Sequence, residues 1–145
     1  MKNIRIRDLA TTASLAALLF AAAPAWAESL TFTATLEGAS EVPPNDSQGT
    51  GMVEATYDTE TMAFAWTITY SGLTGDASAA HFHGPAPAGE NAGPVVPIEG
   101  ALASPISGSA TLTDAQAGDL MNGLWYFNIH TAQYPDGELR GQLTQ

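Results

Sequence analysis

Apolar residues alternate with small polar ones along most of this chain, in short runs separated by glycine, proline, aspartate and asparagine. In the clearest run, Phe64, Trp66, Ile68 and Tyr70 are interleaved with alanine and threonine. Successive side chains on a β-strand point to opposite faces, so this period of two indicates strands with one buried face. A chain built from such runs folds into sheets rather than helices, with turns where the runs end.

The alternation predicts about eight strands, at 30–36, 53–57, 64–70, 79–83, 95–98, 106–112, 125–130 and 139–143. Thr113 and Gln116 have the spacing of a capping box, which predicts one short helix that ends near Asn122 and Gly123. We therefore expect an all-β fold, an antiparallel β-sandwich with Greek-key links between its strands.

The N-terminal segment differs from the rest of the chain. Three basic side chains are followed by the apolar run 9–23 and then by the small-x-small sequence Ala25-Trp26-Ala27. This order is typical of a cleavable signal peptide. An uncleaved anchor is the alternative, but the run is shorter than the roughly 20 apolar residues that span a bilayer. We expect residues 1–27 to be removed and residues 28–145 to form one domain, which is periplasmic or secreted.

Removal of the signal peptide changes the charge of the protein. It takes away three of the four basic residues and one of the 15 acidic ones, so Arg140 alone faces 14 acids and the formal net charge is −13 over 118 residues. Such a charge repels nucleic acid and anionic lipid, and we expect neither as a partner. No cysteine is present, which excludes disulfides and thiolate chemistry. A protein partner is not indicated by any motif.

The only three histidines of the chain are His81, His83 and His130. His81 and His83 are two residues apart on a predicted strand and so share one face. If Phe82 faces the core, and Phe127 and Ile129 do so on the strand of His130, all three imidazoles lie on the outer face. Imidazole is a common ligand of copper and zinc, so the pattern predicts a metal site, with copper as first choice and zinc as the alternative.

Three further residues are candidates for the same site. A short turn brings Arg140 back to within a residue or two of His130, where it is a candidate for binding an anion; a salt bridge with Glu138 or Glu41 is the alternative. Asn128 shares the face of His130 and is a candidate contact for a ligand. Glu41 is a candidate extra ligand or a candidate acceptor for an imidazole N–H.

Several motifs of the chain resemble the CHRD domain, which is named for chordin and also occurs alone in bacterial exported proteins. The motifs follow in order over residues 29–144: Glu41-Val42-Pro43-Pro44, Gly49-x-Gly51, Ala80-His81-Phe82-His83-Gly84-Pro85, Asn128-Ile129-His130-Thr131 and Pro135-Asp136-Gly137-Glu138-Leu139-Arg140-Gly141-Gln142-Leu143. The resemblance implies a β-rich, immunoglobulin-like extracellular domain of undefined role. Growth-factor binding by chordin is attributed to separate cysteine-rich modules, which this chain lacks.

The His81-x-His83 strand and the later His130 are similar to copper/zinc superoxide dismutase, and this second resemblance implies a superoxide dismutase-like Greek-key fold. The resemblance implies that His81, His83 and His130 are copper ligands and that Arg140 guides an anion. The chain departs from that family because it has no fourth histidine to bridge two metals and no disulfide cysteines. A mononuclear copper or zinc site is compatible with the comparison, whereas dismutase activity is not implied.

The sequence thus leads to one main hypothesis and two alternatives. The main hypothesis is an exported, non-catalytic binding module with a surface three-histidine site for copper or zinc. The first alternative is an extracellular interaction or matrix module in which the histidines are structural. The second is a small copper-dependent redox enzyme. Motifs for serine hydrolases, phosphate loops and helical zinc proteases are absent from the sequence.

Overall fold

Eight antiparallel strands and one short helix make up residues 28–145, the part of the chain that the computed structural model describes. The strands are β1 Ser29–Glu37, β2 Thr50–Asp58, β3 Ala63–Ser71, β4 Ala77–His83, β5 Pro94–Pro97, β6 Ile106–Thr111, β7 Tyr126–Thr131 and β8 Leu139–Gln142, and the helix is α1 Asp114–Met121. The predicted signal peptide, residues 1–27, lies outside the described residues. Within residues 28–145, no helix is both long and apolar enough to span a bilayer.

The predicted fold class is confirmed: the protein is all-β, with eight antiparallel strands and one helix. The strands form one sheet in the order β5-β4-β7-β8-β1-β2-β3-β6. The predicted capping box is also present, because the Thr113 hydroxyl accepts from the Gln116 backbone N–H and the Gln116 side chain accepts in return. The Greek-key path of the chain stays a prediction.

The sheet wraps around a core of aromatic side chains. Phe64 and Trp66 of β3 meet Phe82 of β4 across the core, with ring centroids 5.1 and 5.2 Å apart, and Trp125 packs edge-on against Phe64. Edge-to-face pairs at such distances add to the stabilisation that the buried area provides. Because β3 and β4 are far apart in the strand order, these contacts show that the sheet curves until it is nearly closed.

The strand phase predicted from the large apolar residues is correct. Phe82, Phe127 and Ile129 are fully buried in the core. The side chains that alternate with them in β4 and β7, among them His81 and His130, therefore lie on the opposite face of the sheet.

That opposite face is covered, which the sequence did not predict. Two segments lie over it: the first cover loop, residues 38–49, which begins with the 3-10 turn Gly38–Ser40, and the second cover loop, residues 84–93. Asn128, predicted to share the face of His130, has only 4% of its surface accessible, and Tyr126 on the same face has 2%. The alternation predicts which side chains turn away from the core but not that loops cover them, because segments rich in glycine and proline carry no periodicity that reveals what they pack against. The site therefore lies partly beneath the cover loops.

Candidate metal centre

Pairing between β4, β7 and β8 arranges the site residues in rows across the outer face. His130 of β7 is opposite Ala79 of β4, and His81 is opposite Asn128. Asn128 in turn pairs with Arg140 of β8. The rows therefore place Arg140 two residues from the level of His130, as the short turn predicted, and bring all three histidines to neighbouring strands.

The three imidazoles converge. Nδ1 of His81 is 3.3 Å from Nε2 of His130, and one ligand nitrogen from each of the three rings lies within 4.8 Å of the others. Two nitrogens bound to one tetrahedral ion at about 2.0–2.1 Å are roughly 3.3–3.4 Å apart. The His81–His130 separation matches that value. The three ligand nitrogens together are up to 4.8 Å apart, so the rings must move by on the order of 1 Å to bind one ion.

Backbone carbonyls set the proton positions of two of the rings. Nδ1 of His130 donates to the carbonyl oxygen of Pro135 at 2.8 Å, and Nδ1 of His83 donates to that of Ala92 at 2.9 Å. A carbonyl only accepts, so the proton of each neutral ring lies on Nδ1 and the lone pair on Nε2. Metal-ligating histidines generally donate their second nitrogen to a carbonyl or carboxylate in this way. Both rings are therefore prepared to bind a cation through Nε2.

The chain matches one protein-family model, that of the CHRD domain, over residues 32–143. The chain belongs to the CHRD domain family. Neither curated proteins nor solved structures gave a match. The family match confirms the resemblance drawn from the motifs around the histidines and in β8.

Six buried side-chain polar atoms of the described residues have no hydrogen-bond partner, and three of them belong to neighbouring residues of the site. They are Nε2 of His83, Oδ1 of Asn128 and Oε1 of Glu41. The side chain of Asn128 lies close enough to Glu41 and to His83 to affect the pKa of each. An unsatisfied buried acceptor costs on the order of 1–3 kcal/mol. The site therefore favours a cation or a hydrogen-bond donor beside His83.

The electrostatics of the CHRD domain keep two of the histidines in the neutral form that binds metals. Burial lowers the pKa of His81, and the nearby rings of His130 and His83 lower it further. Burial also lowers the pKa of His83, against the opposing effect of the Ala92 carbonyl. Because a metal ion competes with the proton for the same lone pair, a lowered pKa favours binding.

Glu41 is near the site but is not one of its converging ligands. The group that lies close enough to hold an ion consists of the three histidines alone within residues 28–145. Burial raises the pKa of Glu41 to about 7, although Arg140, Asn128 and the Val42 backbone each lower it. Glu41 therefore contacts the site through Asn128, and its expected role as an acceptor for an imidazole N–H has no support among the described hydrogen bonds.

Arg140 is buried, and the ring of Tyr126 separates it from His83. Its Nη1 donates to Oδ1 of Asn91 at 2.7 Å, and its Nη2 donates to the carbonyl of Glu90. The hydrogen bonds thus go to the second cover loop, not to Glu138 or Glu41. Arg140 and Glu41 also line a cleft of about 400 Å³ between the two cover loops. Anion binding by Arg140 stays a prediction.

Sequence reasoning gave Glu138 only as an alternative partner of Arg140 and Tyr126 only as a residue on the face of His130. It missed the hydrogen bonds of the first and the ring stacking of the second. The Glu138 carboxylate is fully buried and accepts hydrogen bonds from Ser47, Thr74 and Thr131. Tyr126 stacks on His83, with ring planes 9° apart and centroids 4.8 Å apart. Tyr126 shares a face with His130 in the sequence pattern, which gave a signal for its position. Nothing in the alternation marks the donors around Glu138 as a group, because Ser47 and Thr74 come from distant loops and only Thr131 lies on the neighbouring strand β7.

Proposed function

We propose that this CHRD domain is a binding module that holds one transition-metal ion, copper in first place and zinc as the alternative, through His81, His83 and His130. The observation that carries the proposal is the paired orientation of two imidazoles. Backbone carbonyls hold Nδ1 of His83 and His130, which leaves both Nε2 lone pairs available beside His81. Imidazole nitrogen suits both metals, and three protein ligands leave a position for water or another ligand.

The experiment is a titration of the purified, metal-free protein with Cu(II) and with Zn(II), in about 0.15 M salt so that the acidic surface is screened. We expect one equivalent to bind. The His81→Ala/His83→Ala double variant should lose affinity by more than about 100-fold, since even the groups that orient metal ligands are typically worth 10–100-fold. A Glu54→Gln variant, which removes one exposed acid on another face, is the matched control. No uptake near one equivalent, or equal uptake by the double variant, contradicts the proposal.

One observation favours a second candidate function, an extracellular interaction module with structural histidines. The 3.3 Å separation of His81 Nδ1 and His130 Nε2 also suits a direct hydrogen bond between the two rings. In that case His81→Ala lowers the free energy of unfolding, and neither metal changes the stability of the wild-type protein. A redox enzyme would additionally require metal-dependent turnover that is lost in His130→Ala.

Export is part of the proposal, and its support is the leader pattern of residues 1–27. When the full-length chain is produced in a bacterium, we expect the exported protein to begin at Glu28, as measured by intact mass. Ala27→Leu should block cleavage because signal peptidase needs a small residue at that position, whereas Ala22→Leu, in the apolar run, should not. An exported protein that still begins at Met1 is the contrary result.

A further inference from the structure

The ring of Tyr126 lies between the guanidinium of Arg140 and the imidazole of His83. The guanidinium carbon of Arg140 is 3.5 Å from the centroid of its ring, and the His83 imidazole stacks almost parallel to the ring. His83 is on β4 and Arg140 is on β8, while Tyr126 is on β7 between them. A cation over an aromatic face is attracted by the ring quadrupole, most strongly when it is desolvated as here. The stack therefore links Arg140 to the orientation of His83.

The Ala92 carbonyl links the same stack to the second cover loop. It accepts from Nδ1 of His83 at 2.9 Å and from the Tyr126 hydroxyl at 3.0 Å. This is the bond that places the proton of the neutral His83 ring on Nδ1. The position of residue 92 therefore decides whether Nε2 of His83 is free to bind a cation.

Arg140 holds that part of the loop in place. It donates to Oδ1 of Asn91 and to the Glu90 carbonyl, and the Asn91 amide donates in turn to the Val42 carbonyl of the first cover loop at 2.9 Å. Arg140 is the only lysine or arginine after residue 27, and only 2% of it is exposed. Burying a guanidinium is costly unless it is well hydrogen-bonded, and here its bonds are directed at the loop.

We propose that Arg140, Asn91 and Tyr126 are positioning residues, which hold His83 with Nε2 turned towards the metal by fixing the second cover loop. The inference rests on the proposed metal site. It adds that loop and site are coupled: a metal on Nε2 makes Nδ1–H a stronger donor to Ala92 and tightens the loop. By linkage, a looser loop weakens metal binding by the same factor.

The test compares Asn91→Ala with Glu90→Gln. Asn91 is exposed, but its side chain connects Arg140 to the first cover loop; Glu90 is its neighbour and contributes only its backbone carbonyl. We expect Asn91→Ala to weaken Cu(II) or Zn(II) binding about tenfold, the scale typical for groups that orient metal ligands. Glu90→Gln should stay within about twofold of the wild type. Amide exchange in residues 86–92 should slow on metal addition in the wild type and in Glu90→Gln, and less in Asn91→Ala.

A second measurement does not need the metal. Nitrogen-15 chemical shifts of the metal-free protein should show His83 protonated on Nδ1, with a growing Nε2–H population in Asn91→Ala. The positioning role is overturned if Asn91→Ala speeds loop exchange but keeps both the wild-type tautomer and the wild-type metal affinity. If the wild type binds neither metal, the proposed function fails, and the tautomer comparison alone decides whether the loop positions His83.

Discussion

Replacing Glu138 with glutamine is expected to lower the free energy of unfolding of this CHRD domain by about 3 kcal/mol, because a hydrogen bond to a buried charged group is worth roughly 1.5–3 kcal/mol. The carboxylate accepts four hydrogen bonds: from the Ser47 hydroxyl at 2.7 Å, from the backbone and hydroxyl of Thr74 at 2.9 and 2.8 Å, and from the Thr131 hydroxyl at 2.6 Å. The glutamine amide would turn its N–H₂ group towards some of these donors, and those donors would then have no acceptor. Three separate parts of the outer face are joined at this one group.

The loss should depend on pH. Burial by itself raises the pKa of Glu138, but the hydrogen bonds from Thr131, Ser47 and Thr74 outweigh it and hold the pKa below its usual value. The folded protein then binds fewer protons than the unfolded chain between the lowered pKa and 4.5, the ordinary value. The stabilisation is complete above that ordinary value and is lost as pH falls through the lowered one.

Urea denaturation of the metal-free protein at pH 7 and at pH 3 measures both effects. We expect the difference between wild type and Glu138→Gln to be large at pH 7 and smaller at pH 3. Glu60→Gln is the control, because Glu60 is exposed and surface substitutions usually change stability by less than about 0.5 kcal/mol. A Glu138→Gln variant as stable as this control at pH 7 would show that the carboxylate does not tie the loops together.

Gly137→Ala is expected to have the second largest effect, a loss of about 2 kcal/mol or more from backbone strain and overlap combined. Gly137 has a φ of +134°, which side chains other than glycine rarely adopt. A Cβ atom there would overlap the Glu41 carboxylate and come within 2.8 Å of the Asn128 amide nitrogen. The first cover loop could then no longer close over Asn128.

Chemical denaturation again provides the measurement, with Gly75→Ala as the matched control. Gly75 has no heavy atom within 4 Å of an added Cβ, so the substitution there should be neutral or slightly stabilising. Equal stability of the two alanine variants would mean that the contact between Gly137 and Glu41 is not close in solution.

The strands and the direction of their side chains follow from the sequence, because only one of the two possible orientations of each strand buries its large side chains. Phe82 and Phe127 alternate with polar neighbours, and slipping either strand by one residue would expose them. The same argument predicts that His81 and His130 lie on one face of the sheet. The short turn before β8 predicts that Arg140 lies within about two residues of His130 along the paired strands. These inferences need only the period of a strand and the length of a hairpin.

The loops that cover the site could not be predicted from the alternation of the strands. Ala92 and Asn91 belong to a glycine- and proline-rich loop, and their contacts with His83 and Arg140 depend on how that loop folds back. The sequence therefore indicated a metal site of exposed histidines, whereas the structure shows His83 9% exposed and held by a loop. Tertiary contacts of this kind leave no local pattern.

The central claim is that three imidazoles meet on one ion. X-ray absorption spectroscopy of the protein loaded with one equivalent of Cu(II) or Zn(II) tests it directly, because the method reports the ligand atoms and their distances. We predict three imidazole nitrogens at about 2.0–2.1 Å, recognised by the scattering of their rings, with the remaining position taken by an oxygen ligand. A shell made only of oxygen atoms, unchanged in the His81→Ala/His83→Ala variant, would place the ion on the acidic surface and contradict the account.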